Sequence, residues 1–272
     1  MSQRGRFAQT LASLAHAMGD AMVSETVARR SGLLQTLDPR VRLAGLLILV
    51  VAVTLSHKIV VVVELFVLAV VLALLSHVSL TMLAKRVWLT VLAFTGIIAL
   101  PALFLTPGTV VWQLRGIPSV TTQGLMTAAL LVARVETAVT LTTLLVLTTP
   151  WMHILKALRA FHVPQEVVMM LAMTHRYIFL LGESAIQMFE SRTSRTVGVI
   201  DRTAQRNVAA RSAGVLLTKS IQLSSEVFLA MQSRGFRGDA KVLVQFRMSA
   251  RDYGALLACV LVGTVAVWAG RS

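Results

Sequence analysis

Long apolar runs broken by short polar clusters dominate the first 150 residues, and one more closes the chain. Leu43–Ser56 is the first run. His57-Lys58 interrupts it, and it resumes over Ile59–Leu75. The combined stretch is too long for one helix across ~30 Å of hydrocarbon at ~1.5 Å per residue. The pattern therefore predicts two short spans joined by a tight turn. It predicts a third span over Val87–Leu105, with Pro101 near its far end, and a fourth over Leu125–Thr149, long enough to tilt. Thr106–Gln123, rich in Pro, Gly and Thr, reads as an exposed loop. The last predicted span is Gly254–Gly270.

Pro150–Tyr253 has a different pattern, although 150–182 leaves room for a further membrane-embedded segment. Pro150 and Pro164 stand where helices start, since proline suits a first turn. They predict helices over Trp151–His162 and from Pro164 to about Arg195. The second is apolar at first (Val167, Met170, Phe179) and polar later (Glu183, Gln187, Glu190). A gap at Gly198–Asp201 separates it from a third helix, Thr203–Ser233. There Leu217, Ile221, Phe228 and Met231 recur on one face. Gly214, Ser220, Ser224, Ser225 and Ala230 are small enough for another helix to approach. Gly235 and Gly238 supply the stop signal. The fold class expected is all-α: a polytopic membrane protein with about five transmembrane helices and long crossed cytoplasmic helices. Four regions follow: an N-terminal segment (1–40), a four-helix membrane region (41–149), the cytoplasmic helices (150–240), and a linker with the final span (241–272).

Composition removes other classes. Of 272 residues, 56% are hydrophobic and only 14% charged, yet the formal charge is +14. A soluble domain carries about 25% charge. A nucleic-acid binder can be this basic but is not this apolar, and a disordered chain is far less apolar. Position explains the charge. With the N-terminus inside, 22 of the 26 Lys and Arg fall on inner segments and only Lys58, Arg115 and Arg271 on outer ones. The positive-inside rule then predicts a multi-pass protein of the cell (inner) membrane, with its N-terminus cytoplasmic and its C-terminus outside. Residues 1–38 lack the apolar core of a signal peptide and are expected to be an unprocessed cytoplasmic segment. Cys259, the one cysteine, lies in an apolar run and reads as a buried, inert thiol.

The two long predicted helices end alike, in Glu190-Ser191-Arg192-Thr193 and Gln232-Ser233-Arg234-Gly235. A cation at a helix C-terminus is favoured by the macrodipole. Such an arginine is either a solvated end or a planar fork for a partner's carboxylate.

The chain resembles the transmembrane T component of energy-coupling factor importers, cobalt/nickel type. The matching pieces are Leu37-Asp38-Pro39-Arg40, Thr148-Thr149-Pro150, Leu155-Lys156-Ala157-Leu158, Val163-Pro164, His175–Leu181 and Ala230–Gly238, all in family order. The resemblance implies a scaffold that couples two ATP-binding ATPase subunits to a membrane substrate-binding subunit, with a small accessory membrane subunit in some assemblies. It implies that Arg192 and Arg234 enter acidic grooves on the ATPases, with Ser191, Ser233 and Gly235 shaping the contact. Ser191 and Ser233 stand where the family has alanine, and Thr193 where its first motif has glycine. Arg195 is therefore an alternate for Arg192. ATP belongs to the partners, and no cofactor is expected in this chain.

Other chemistry is weak. None of the six histidines stands three or four positions from another, and HExxH is absent, so no helical metal site is expected. The phosphate-binding GxxxxGK[ST] and the nucleophile-bearing GxSxG are absent too, so no catalytic residue and no enzymatic role is expected. Glu64 and Arg134 are the ionisable residues deepest in predicted spans, and a cross-span pair or a proton relay are the two readings open to them. The competing function is a secondary transporter of a cation or small solute acting alone. A nucleic-acid or anionic-lipid tether is the third, and no nucleic-acid partner is expected. The sequence leaves cobalt, nickel and another cargo open.

Overall fold

The computed structural model describes residues 19, 32–105, 109–112, 120–195, 202–236 and 248–271. The expectations for the N-terminal stretch before Gly32, the 198–201 gap and Gly238 lie outside the described residues. The chain folds as two units: residues 25–157 with 246–272, and residues 158–245 with 1–24.

The first unit holds the apolar helices. A short turn of helix, α1 (Leu33–Thr36), leads into α2 (Pro39–Leu55). Asp38 starts α2: its carboxylate accepts from the Arg40 amide at 2.9 Å, and Pro39 takes the first helical position, where no N–H is needed. The hairpin partner is α3 (Ile59–Leu75), with the bounds the apolar run predicts. The third span starts earlier than predicted. A short helix α4 (Leu80–Leu83) passes through one π-turn (Ala84–Trp88) into α5 (Leu89–Leu105). The wider turn absorbs an extra residue, so Lys85 sits on the helix, exposed, instead of before it. The predicted loop carries a small antiparallel ladder, β1 (Val110–Trp112) with β2 (Val120–Thr121). Then α6 (Thr122–Thr148) begins with the Thr121 hydroxyl accepting from the Gly124 amide at 3.1 Å. A short helix α7 (Trp151–Ala160) follows, and α10 (Ala250–Arg271) closes the unit.

Leu49, Val53, Val62, Ala69, Leu141 and Leu144 form the buried centre, contributed by α2, α3 and α6. The outside is also apolar: Phe94, Ile97 and Trp268 are all more than two-thirds exposed. A water-soluble surface does not tolerate such a belt. Lengths agree. The α6 and α10 helices are long and apolar enough to cross a bilayer, and the 17-residue α3 and α5 reach about 25 Å each. The protein is an all-α, multi-helix membrane protein.

The α2–α10 seam depends on glycine. A Cβ on Gly270 would stand 2.9 Å from the Ser56 Cα, and one on Gly263 2.9 Å from the Ile48 side chain. Close backbone approach replaces hydrophobic drive between membrane helices, since lipid tails are as apolar as leucine.

Helix ends are closed by side chains from other helices. Arg42 is buried. It donates to the Leu37 carbonyl through both Nε and Nη2 (3.1 and 2.9 Å) and to the Thr148 carbonyl through Nη1 (2.5 Å). Thr148 ends α6, so a cation caps that helix's C-terminus. Beside it the Asp252 carboxylate accepts from the Asp38 and Ser249 amides, both at 2.8 Å, fastening the start of α10 to the start of α2. At the far end of α2, Arg134 donates through Nη2 to the Ser56 carbonyl at 2.6 Å, and the His57 amide donates to Gly270. Glu64 is exposed on α3, and a Glu64–Arg134 pair, one of the readings the sequence leaves open, is not formed. A helix-end carbonyl takes the place of the acid.

Replacing Arg42 by Met should lower stability by about 3 kcal/mol, since it leaves buried carbonyls unpaired. Arg134→Met should cost about 1–2 kcal/mol, losing one charged hydrogen bond. Thermal unfolding in mild detergent reads both, and the order Arg42 above Arg134 is the expected result.

Candidate docking helices

The second unit contains the two long helices. The first, α8 (Gln165–Arg195), follows Pro164, whose carbonyl accepts from the Val167 and Val168 amides. Glu166 lies in its first turn, with Arg192 and Arg195 in its last, so charge complements the dipole at both ends. The second, α9 (Arg202–Ser233), matches the predicted helix to within one residue. At 31 and 32 residues they are each roughly 47 Å long. They touch where Lys219 Nζ donates to Ser184 Oγ at 2.9 Å. The arginines lie beyond that contact, Arg192 about 12 Å further along α8 and Arg234 about 22 Å further along α9.

The two tips share one local device. Ser191 Oγ donates to the Met188 carbonyl at 2.9 Å, and Ser233 Oγ donates to Ala230 at 3.0 Å. Each hydroxyl folds back three residues along its own helix. It therefore occupies little more space than the alanine of the idealised motif. The backbones differ. Arg234 is the last half-helical residue of α9, followed by Gly235 at φ +76°. The Phe236 amide donates to Met231 at 3.1 Å and the Gly235 amide to Gln232 at 2.9 Å, the paired bonds of a left-handed helix cap. Arg192 instead stands within the last turn, and α8 continues through Arg195. Arg234, Arg195 and Ser191 are exposed and Arg192 is half-buried.

Both helices present apolar side chains outward: Met170 and Ile178 on α8, and Leu217, Ile221 and Phe228 on α9. The small positions of α9 are open. A Cβ on Gly214 would meet nothing within 4 Å, so its smallness is not used against α8.

The histidines have a role that spacing does not show. His77 and His162 have φ of +52° and +62°. Each is followed by the same paired bonds as Gly235: Val78 to Ala73 with His77 to Leu74, and Val163 to Leu158 with His162 to Arg159. They end α3 and α7 as left-handed caps, a position where glycine is usual. Among the described residues no three His, Cys, Asp or Glu are grouped to hold a metal ion.

Replacing His162 by Gly should keep or raise stability by up to about 1 kcal/mol, because glycine has no Cβ to strain at positive φ. Gly235→Ala should cost about 1 kcal/mol at its cap. Amide hydrogen exchange at Val163 and Phe236 reports each cap directly.

Comparison with known proteins agrees with this architecture. The family model described as cobalt transport protein, CbiQ, matches residues 30–245. An uncharacterised protein of Methanocaldococcus jannaschii is 31% identical over 265 residues, covering 96% of this chain and 91% of the relative. The nickel permease LarQ of Lactiplantibacillus plantarum is 34% identical over 116 residues, 43% of this chain and 42% of the relative. The cobalt transport protein CbiQ of Rhodobacter capsulatus is 28% identical over 176 residues, 64% of this chain and 71% of the relative. The family match takes in everything from the cap of α2 to the tip of α9, and the chain belongs to the CbiQ cobalt transport protein family.

Proposed function

We propose that the chain is the transmembrane coupling subunit of an ATP-driven importer, with cobalt or nickel ions as cargo. The cargo follows the named relatives, a cobalt transport protein and a nickel permease. The coupling role follows the second unit. Its carrying observation is two ~47 Å helices, each with an arginine at its C-terminal end behind a self-bonded serine.

Arg192 and Arg234 are the docking residues. Arg192 is taken as the counterpart of Arg234 from its place in the motif, with Arg195 as the alternate, since Ser194 before Arg195 also folds back, to the Glu190 carbonyl. Each guanidinium takes a carboxylate lined groove on one of two ATPase subunits, which bind the ATP. The basic residues of this unit and of the N-terminal segment support a cytoplasmic reading of both. Closure of the ATPase dimer displaces the arginines. A rigid helix carries that displacement along its length, and the exposed apolar faces pass it to a substrate-binding membrane subunit. The metal ligands belong to that subunit.

Converting both Arg192 and Arg234 to Glu should abolish co-purification of the ATPases, each arginine contributing about 2–5 kcal/mol at a desolvated contact. The helix content of the variant should be unchanged by circular dichroism. Retained ATPases together with intact metal uptake would overturn the reading.

A further inference from the structure

Glu136 is the one acidic side chain of α6, and it is 8% exposed. Both carboxyl oxygens lack a hydrogen-bond partner among the described residues. The nearby donors on α6 and Trp88 bond elsewhere, except Arg134 Nε, which is buried without a partner but stands two positions away and so does not face Glu136 along the helix. Trp88 Nε1 donates to Thr140 Oγ1 at 3.1 Å, and Thr140 Oγ1 donates to the Glu136 backbone carbonyl at 2.7 Å. Thr137 Oγ1 donates to the Ala133 carbonyl, and Arg134 to Ser56. A buried carboxyl with no partner is costly in any apolar medium and more so within a bilayer.

The same residue lines a cavity of about 480 Å³ between α3, α5 and α6. Small residues make up half its lining, Ala128, Ala129 and Ala133 from α6 with Gly96 and Ala99 from α5, and larger apolar side chains such as Phe66 and Val132 complete it. A Cβ on Gly96 would meet nothing within 4 Å, so no neighbour among the described residues explains the glycine. Along α6 the groove runs from Leu125 to Glu136, about 16 Å or three helical turns. A small-residue stripe of that length lets a second helix lie close, and a polar group at its end fixes depth and rotation.

We propose that the α3–α5–α6 groove is the docking site for a membrane-spanning helix of a partner protein, seated by a hydrogen-bond-donating side chain on Glu136. Chemistry selects this occupant. Lipid tails carry no donor, and headgroups stay at the interface, while Glu136 lies about 21 Å along α6 from its start. A metal ion would need further ligands, and among the described residues none group with Glu136. The inference stands apart from the ATPase-docking reading, because it uses no residue of α8 or α9.

The test places a photo-reactive benzoylphenylalanine at Ala129 in the full chain, in membranes of its own cells. The expected adduct is a membrane-spanning segment of a partner, carrying Arg, Lys, Asn, Gln, Ser or Thr about two turns from the crosslink. Glu136→Leu should cut that adduct at least tenfold, and Glu136→Gln, which still accepts, should keep most of it. The isolated Glu136→Leu chain should unfold in detergent at the same or a higher temperature than the parent, since an unpaired buried carboxyl is removed. Adducts to lipid only, no adduct, a partner segment without a donor, or an unchanged yield in Glu136→Leu would each overturn the proposal. A lowered unfolding temperature for isolated Glu136→Leu would do so too, by assigning the carboxyl to the fold.

Discussion

A backbone carbonyl at a helix end inside or against a bilayer has no bulk water to bind, so the fold must bring a donor to it. In this chain arginine supplies that donor. Arg42 reaches from the start of α2 to Thr148 at the end of α6, and Arg134 from the middle of α6 to Ser56 at the end of α2. The two bonds are reciprocal. Each of these helices has its C-terminus held by a cation on the other, where the macrodipole also favours positive charge. Around them Asp252 fastens α10 to the Asp38 amide, and Gly270 lets α10 lie against Ser56. The membrane unit is thus pinned at both ends of α2, and the apolar middle needs only to pack.

Arginines at helix ends recur in the other unit, and there the proposed use is different. Arg192 and Arg234 stand at the C-termini of their own helices, on a segment with outward apolar faces. An arginine that closes its fold is buried against carbonyls, as Arg42 is. Arg234 is exposed, while Arg192 is half-buried like Arg134 of the scaffold, so exposure alone does not divide the two sets. In the proposed reading the same residue type, at the same kind of place, both holds the scaffold and meets a motor.

Much of the architecture was legible in the sequence. His57-Lys58 marked a turn that α2 and α3 obey, because two ionisable residues cannot sit in the middle of a span. Pro150 and Pro164 marked helix starts because proline dispenses with a donor there. The family motifs were also legible, and the structure gives two of them a physical meaning: Leu37 and Thr148, over 100 residues apart, are joined by one guanidinium. Less legible was every feature that depends on a carbonyl. Arg134 invited an acidic partner because acids carry a letter in the sequence, whereas the Ser56 carbonyl is common to every residue. His77 and His162 show no ligand spacing in the sequence, and they serve as left-handed caps, a use that glycine signals and histidine does not. The unpartnered state of Glu136 required knowing where Trp88 and Thr140 send their bonds.

The central claim is that arginine-tipped helices connect this membrane unit to an ATP-driven partner. A cryo-electron microscopy map of the full complex, purified from its own membranes, tests it most directly. The account predicts the Arg234 guanidinium within hydrogen-bonding distance of a carboxylate on one ATPase subunit, with Arg192 likewise placed on a second. Both arginines facing solvent or lipid headgroups, with the ATPases seated elsewhere on the chain, would contradict it.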